Sequence, residues 1–186
     1  MKKSLMFAAT LSLSLTGISS SHAEEGFFSS FFSLERKNGV EAVSDKDYIE
    51  ECGSCHFPYQ PGLLPEASWR KLMDATALED HFGDNAELDE DVRTHVLDVL
   101  VKASADKSRY KRSKKIMASL RNDKAPMRII ETPYIKDKHH EIPAKLIKDN
   151  PKVKSLSYCE KCHQKADEGS YDDDTVMIPG HGNWTW

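Results

Sequence analysis

Cysteine is scarce in this chain. Its 186 residues hold four, and all four fall in two copies of one pattern, Cys52-Gly53-Ser54-Cys55-His56 and Cys159-Glu160-Lys161-Cys162-His163. None is left over to staple the fold as a disulfide. Long apolar runs are missing after residue 23, so the mature chain is expected not to span a membrane. Positive charge is also short: 26 Lys and Arg stand against 30 Asp and Glu, a net charge of −4, which makes a poor nucleic-acid binder. Hydrophobic residues reach only 39%. That modest share fits a protein in which something other than side chains supplies apolar core. No acid–base constellation stands out, and no internal repeat extends beyond the five-residue pattern.

What is present is C-x-x-C-H, twice. On a helical turn, residues i, i+3 and i+4 share a face, so two thiols and an imidazole project together. That spacing suits covalent attachment of one haem: two thioether bonds from the cysteines and one axial iron ligand from the histidine. The motifs therefore point to two covalently attached haem c groups, held through Cys52, Cys55, Cys159 and Cys162, with His56 and His163 on the irons. A zinc site built from two cysteine knuckles and a thioredoxin-like redox pair are the competing readings of a bare C-x-x-C. The histidine that directly follows each pair disfavours both.

Residues 1–23 read as a secretory signal peptide. Lys2 and Lys3 are its basic start, Leu5 to Leu15 its apolar stretch, and Ser21-His22-Ala23 its cleavage site. Retention as a membrane anchor is disfavoured because the run is short and ends in serines. A periplasmic location is expected, consistent with covalent haem attachment outside the cytoplasm.

Further along, Phe27, Phe28, Phe31 and Phe32 carry no motif. Ser44-Asp45 marks a helix start leading into Cys52, with Tyr48 on the haem-facing side. Pro58, Pro61 and Pro65, together with Gly62, impose a rigid non-helical loop suited to the edge of a haem. A helix is expected over 66–82, with Trp69, Leu72 and Met73 on one stripe. Another is expected after Asp89, with Val92, Val96, Val99 and Leu100 inward. Residues 107–115 carry six basic side chains and read as a solvated linker, or else as a docking patch for an acidic partner or lipid head groups. A short helix over 114–121, one opening at Thr132-Pro133 and ending near Pro143, and a haem helix over 152–168 complete the expectation.

The second axial ligand of each iron decides function: a second His gives a closed electron-transfer site, Met raises the potential, and an open position permits catalysis. Only 23 residues follow His163, too few for the distal Met of an ordinary single-haem cytochrome. Upstream, His139 shares a face with Ile135 and Ile142, whereas His140 points with Lys136 and Pro143, so periodicity favours His139. His181, flanked by glycines, is the rival. For the first haem the candidates are His81, His95, Met73, Met117 and Met127, and periodicity does not separate His81 from His95.

Several further residues resemble the bacterial dihaem cytochrome c family. They are Tyr59, Leu63-Leu64-Pro65 and Ser68-Trp69 after the first motif, then His81-Phe82-Gly83, Ala86, Leu88, Arg128-Ile129 and Tyr134. His139 with Glu141-Ile142-Pro143, and Ala166, Gly169 and Ile178-Pro179 around the second motif, complete the set. The resemblance implies a mainly α, small two-lobed c-type cytochrome with one covalent haem per lobe. The lobes fall at 24–106 and 132–186, with 107–131 as a basic linker. It also implies bis-histidine ligation, His81 pairing with His56 and His139 with His163. Low-potential electron transfer follows, between a membrane b-type cytochrome and a small soluble oxygen-binding c-type haem protein. A haem enzyme or ligand-binding protein with one open iron, of peroxidase or reductase kind, is the alternative.

Overall fold

The computed structural model describes residues 39–120 and 125–184. The expected signal peptide and the phenylalanine-rich stretch behind it lie outside these residues. The described chain is mainly helical. Its helices are α1 (Lys46–Gly53), α2 (Glu66–Leu72), α3 (Ala75–Glu79), α4 (Glu90–Lys102), α5 (Lys111–Ser119) and α6 (Pro133–His139). The sheet is one antiparallel pair, β1 (Met177–Ile178) and β2 (Gly182–Asn183), with Ile178 opposite Gly182. Among the described residues no helix is long and apolar enough to cross a membrane.

The centre of the main core is not a helix but the proline loop. Gln60 to Pro65 is buried throughout, and its short turn Pro61–Leu63 packs against both α4 and α5. Proline and glycine hold it out of helical geometry, and its neighbours supply the missing hydrogen bonds. The Trp69 indole N–H donates to the Pro61 carbonyl (2.8 Å), and Ser113 Oγ donates to the Gly62 carbonyl (2.8 Å). Leu63, Leu64, Trp69, Val96, Leu100 and Ile116 close around it, each worth about 1.5–3 kcal/mol of burial. The same cluster takes in Ile129, Ala166 and Tyr171 from the far end of the chain. A smaller one is built on Ile147, Val153 and Ile178.

Local chemistry explains where the elements depart from expectation. The helix expected over 66–82 is broken at Met73–Asp74. The Asp74 carboxylate accepts from the Thr76 N–H (3.1 Å) and caps a new helix instead of continuing the old one, while Arg93 Nη1 donates to the stranded Met73 carbonyl (2.7 Å). The helix expected over 152–168 does not form. Lys154 sits at φ 67, Ser155 Oγ accepts from the Ser157 N–H (3.1 Å), and only the turn Cys159–Lys161 is helical, of the 3-10 kind. The helix after Thr132 stops at His139. Asp45 caps α1 through the Tyr48 N–H (3.0 Å), whereas Asp89 makes no side-chain cap to α4. The basic stretch expected as a linker becomes helical at Lys111 and buries Ser113 and Ile116 on its inner face.

Candidate haem sites

Each C-x-x-C-H motif meets a second histidine from elsewhere in the chain. In the first site Cys52 lies in the last turn of α1, and Cys55-His56 follows on the turn after it. His81 arrives from a tight turn after α3, where the His81 N–H donates to the Asp84 carbonyl (2.7 Å) and the Gly83 N–H to the Asp80 carboxylate (3.0 Å). The turn holds Phe82 at φ 59, an uncommon conformation for a bulky residue, with the Arg128 guanidinium 3.8 Å over its ring. The His56 and His81 rings lie 6.3 Å apart at 18° to each other.

In the second site the His163 N–H donates to the Cys159 carbonyl (2.8 Å), so the motif still makes one helical turn. The strand hairpin leans on it through Met177 N–H to the Cys162 carbonyl (2.9 Å). The last residue of α6 supplies the partner: the His139 and His163 rings lie 6.1 Å apart at 73°. These side chains open into an apolar cleft of about 860 Å³, counting the part open to solvent, lined by Ile135, Ile142, Leu156, Val176 and Ile178 among others.

Hydrogen bonding sets the imidazoles up as ligands. A backbone carbonyl only accepts, so His56 Nδ1 donates to the Phe57 carbonyl (2.8 Å) and His139 Nδ1 to the Ile135 carbonyl (2.7 Å). Both rings then carry their free lone pair on Nε2, the tautomer a metal needs. His81 Nδ1 and His163 Nδ1 are buried with no partner among the described residues. Burial, with the neighbouring ring next in weight, holds His81 below its ordinary pKa and pushes His163 down to about 4; the Arg112 charge also bears on His163. Burial likewise lowers His139, against its bond to Ile135. Neutral rings can coordinate; imidazolium cannot.

The arrangement fits a haem in each site. A metal–nitrogen bond of about 2.0 Å, and about 1.1 Å more to the ring centre, place two trans imidazoles about 6.2 Å apart. Both histidine pairs match that spacing. Burial raises the Cys52 thiol to about 11 and the Cys159 thiol to about 12, the opposite of the lowered values a thiol–disulfide redox pair requires. Among the described residues no group of three or more His, Cys, Asp or Glu is placed to hold a metal ion directly, which removes support from the zinc reading.

The rival histidines lie elsewhere. His95 Nε2 bonds the Asp45 carboxylate (3.0 Å) at the start of α1, His140 Nδ1 donates to the Asp137 carbonyl (2.5 Å) on an exposed side chain, and His181 stacks toward Trp184 on the hairpin. Met73 is core, and Met117 and Met127 pack at its margin.

Two residues to which the sequence assigned no role, Tyr59 and Gln60, tie the two sites together. The Tyr59 ring lies 5.0 Å from His56, and its hydroxyl donates to the Ser157 carbonyl (2.7 Å), two residues before Cys159. Gln60, 1% exposed, accepts from the Val43 N–H (2.6 Å) and donates to the Ala166 and Asp167 carbonyls (3.0 and 3.2 Å). No local pattern marks a glutamine as a core hydrogen-bonding hub.

Comparison with known proteins gives one consistent result. The dihaem cytochrome c family matches residues 48–171. A dihaem cytochrome c from Shewanella baltica is 39% identical, covering 75% of this chain and 97% of its own, with a TM-score of 0.61. A dihaem cytochrome c from Rhodobacter sphaeroides is 35% identical, covering 71% of this chain and 100% of its own, with a TM-score of 0.62. The search of curated proteins finds no match. With two covalently bound haem c groups and electron transfer as its activity, the chain belongs to the dihaem cytochrome c family.

Proposed function

We propose that the protein is a periplasmic electron carrier whose two haems are both closed by histidine pairs. Cys52 and Cys55 hold one haem through thioether bonds, with His56 and His81 on its iron. Cys159 and Cys162 hold the other, with His139 and His163. When bound, each haem supplies a reversible one-electron iron couple. The protein's own part is to keep four imidazoles oriented and, through burial, to hold His81, His139 and His163 neutral. The observation that carries the reading is the ring separation, 6.3 and 6.1 Å, at two sites built from unrelated local structure. Two histidines at each haem would leave no place on the iron for a substrate, which favours carriage over catalysis.

The exchange partners are a membrane b-type cytochrome and a small soluble c-type haem protein, as the family resemblance implies. Residues 1–23 direct export. The ligand assignment is tested with His81→Met in the haem-loaded protein. Replacing an imidazole by a thioether raises the reduction potential of one haem and leaves the other nearly unchanged. A redox titration in which neither moves removes His81 from the iron.

A further inference from the structure

The guanidinium of Arg112 stands in the wall of the second cleft without the counter-charge its position calls for. Its Nη1 donates to the Tyr134 hydroxyl (3.2 Å) and its Nη2 to the Tyr171 carbonyl (2.8 Å). Its Nε is buried and has no partner among the described residues. The ion pairs of the described residues all use other cations. A buried N–H left unpaired is destabilising, and a partly buried cation with no anion is more so. Arg112 lines the cleft together with Lys138, whose Nζ is 4.0 Å from the Asp173 carboxylate, the outer limit of an ion pair. Both residues also line the neighbouring surface cleft with Lys111 and Lys115. Cations thus collect on one wall of a largely apolar cavity, beside the single carboxylate of Asp173, and leave the Arg112 Nε–H free to take a ligand carboxylate.

We propose that Arg112, assisted by Lys138, binds a propionate of the haem held between His139 and His163 and thereby raises that haem's reduction potential. The inference rests on the histidine assignment above. The planar fork of arginine matches a carboxylate, and a charge-assisted bond to Nε–H would satisfy the orphan donor. The sign follows from charge. Reduction adds an electron to the site, a nearby cation favours that state, and loss of the cation leaves a bare carboxylate that opposes it. The first site is built differently. Its arginine, Arg128, lies over the Phe82 ring, so a change at Arg112 acts on one haem alone.

The test is an equilibrium redox titration of haem-loaded wild type, Arg112→Gln, Arg112→Lys and Lys138→Gln. Electron paramagnetic resonance assigns each ferric signal to its site by the ring-plane angles. The expected result is a downward shift of the His139/His163 haem in Arg112→Gln, no shift of the other, partial recovery in Arg112→Lys, and a smaller downward shift in Lys138→Gln. A folded, fully loaded Arg112→Gln with unchanged potentials, or with both haems shifted equally, overturns the proposal. Where that variant fails to load haem, wild-type potentials in both Arg112→Lys and Lys138→Gln overturn it. Failure of the histidine assignment shows separately, as a second haem in the wild type that is not six-coordinate and low-spin.

Discussion

The two histidine pairs share a separation and differ in orientation, and single hydrogen bonds help to set the difference. His56 is turned by its bond to Phe57, the next residue; His139 is turned by its bond to Ile135, one helical turn earlier. The first pair is nearly parallel at 18° and the second nearly perpendicular at 73°. Ring-plane angle governs how the iron d orbitals split. The oxidised protein is therefore expected to give two distinct low-spin resonance signals, a rhombic one from the first site and a highly anisotropic one from the second. Two overlapping signals of the same kind would contradict these orientations. That His139 rather than His140 turns inward is legible in the sequence through its spacing from Ile135 one helical turn earlier, although the helix ends before Ile142. The His81 assignment is not. It sits on a turn held by Asp80 and Asp84 next to a left-handed Phe82, and neither periodicity nor composition encodes that turn; only the family resemblance pointed to it.

At the scale of elements, the second motif is held by close backbone approach rather than by a helix. Gly169 has φ 74, its carbonyl accepts from the Val40 N–H (2.9 Å), and a Cβ added there would collide with the Val40 backbone. Gly169→Ala is expected to lower stability by at least about 2 kcal/mol, adding a left-handed backbone penalty to a clash that no side-chain rotation relieves. A denaturant midpoint equal to wild type would show that the 40–42 segment is not docked in this way. The sequence predicts a haem helix over 152–168, ending just before Gly169. That helix is absent because the Asn150 and Ser155 side chains accept from the Lys152 and Ser157 N–H groups and Lys154 turns left-handed. Two long-range structures were equally hidden: the burial of the proline loop at the core, and the conversion of a basic run into a packed helix. Both depend on partners more than 40 residues away, such as Ser113 with Gly62.

At the scale of the whole molecule, the buried histidines set the acid side of stability. The folded chain holds His81, His139 and His163 neutral, while an unfolded histidine takes up a proton below about pH 6.5. The unfolded state therefore binds more protons, and stability falls as pH drops from there toward the folded value of about 4 for His163. The lowered carboxylates, such as Asp45 and Asp74, add their loss only at lower pH. In the haem-loaded protein an iron bond would bar the same rings from protons, so the sign is unchanged and chemical denaturation should show a lower midpoint at pH 5 than at pH 7.5. Equal midpoints would mean that neither burial nor iron keeps these rings unprotonated in the folded state.

The central claim is that both irons are closed by histidine on both faces. The measurement that tests it most directly is to reduce the purified haem-loaded protein, add carbon monoxide and record the visible spectrum. The account predicts no prompt change in the bands of either haem. A rapid shift in one of them would show an open or labile axial position. It would contradict one of the two pairings, His56 with His81 or His139 with His163, and return the protein to the class of ligand-binding or catalytic haem proteins.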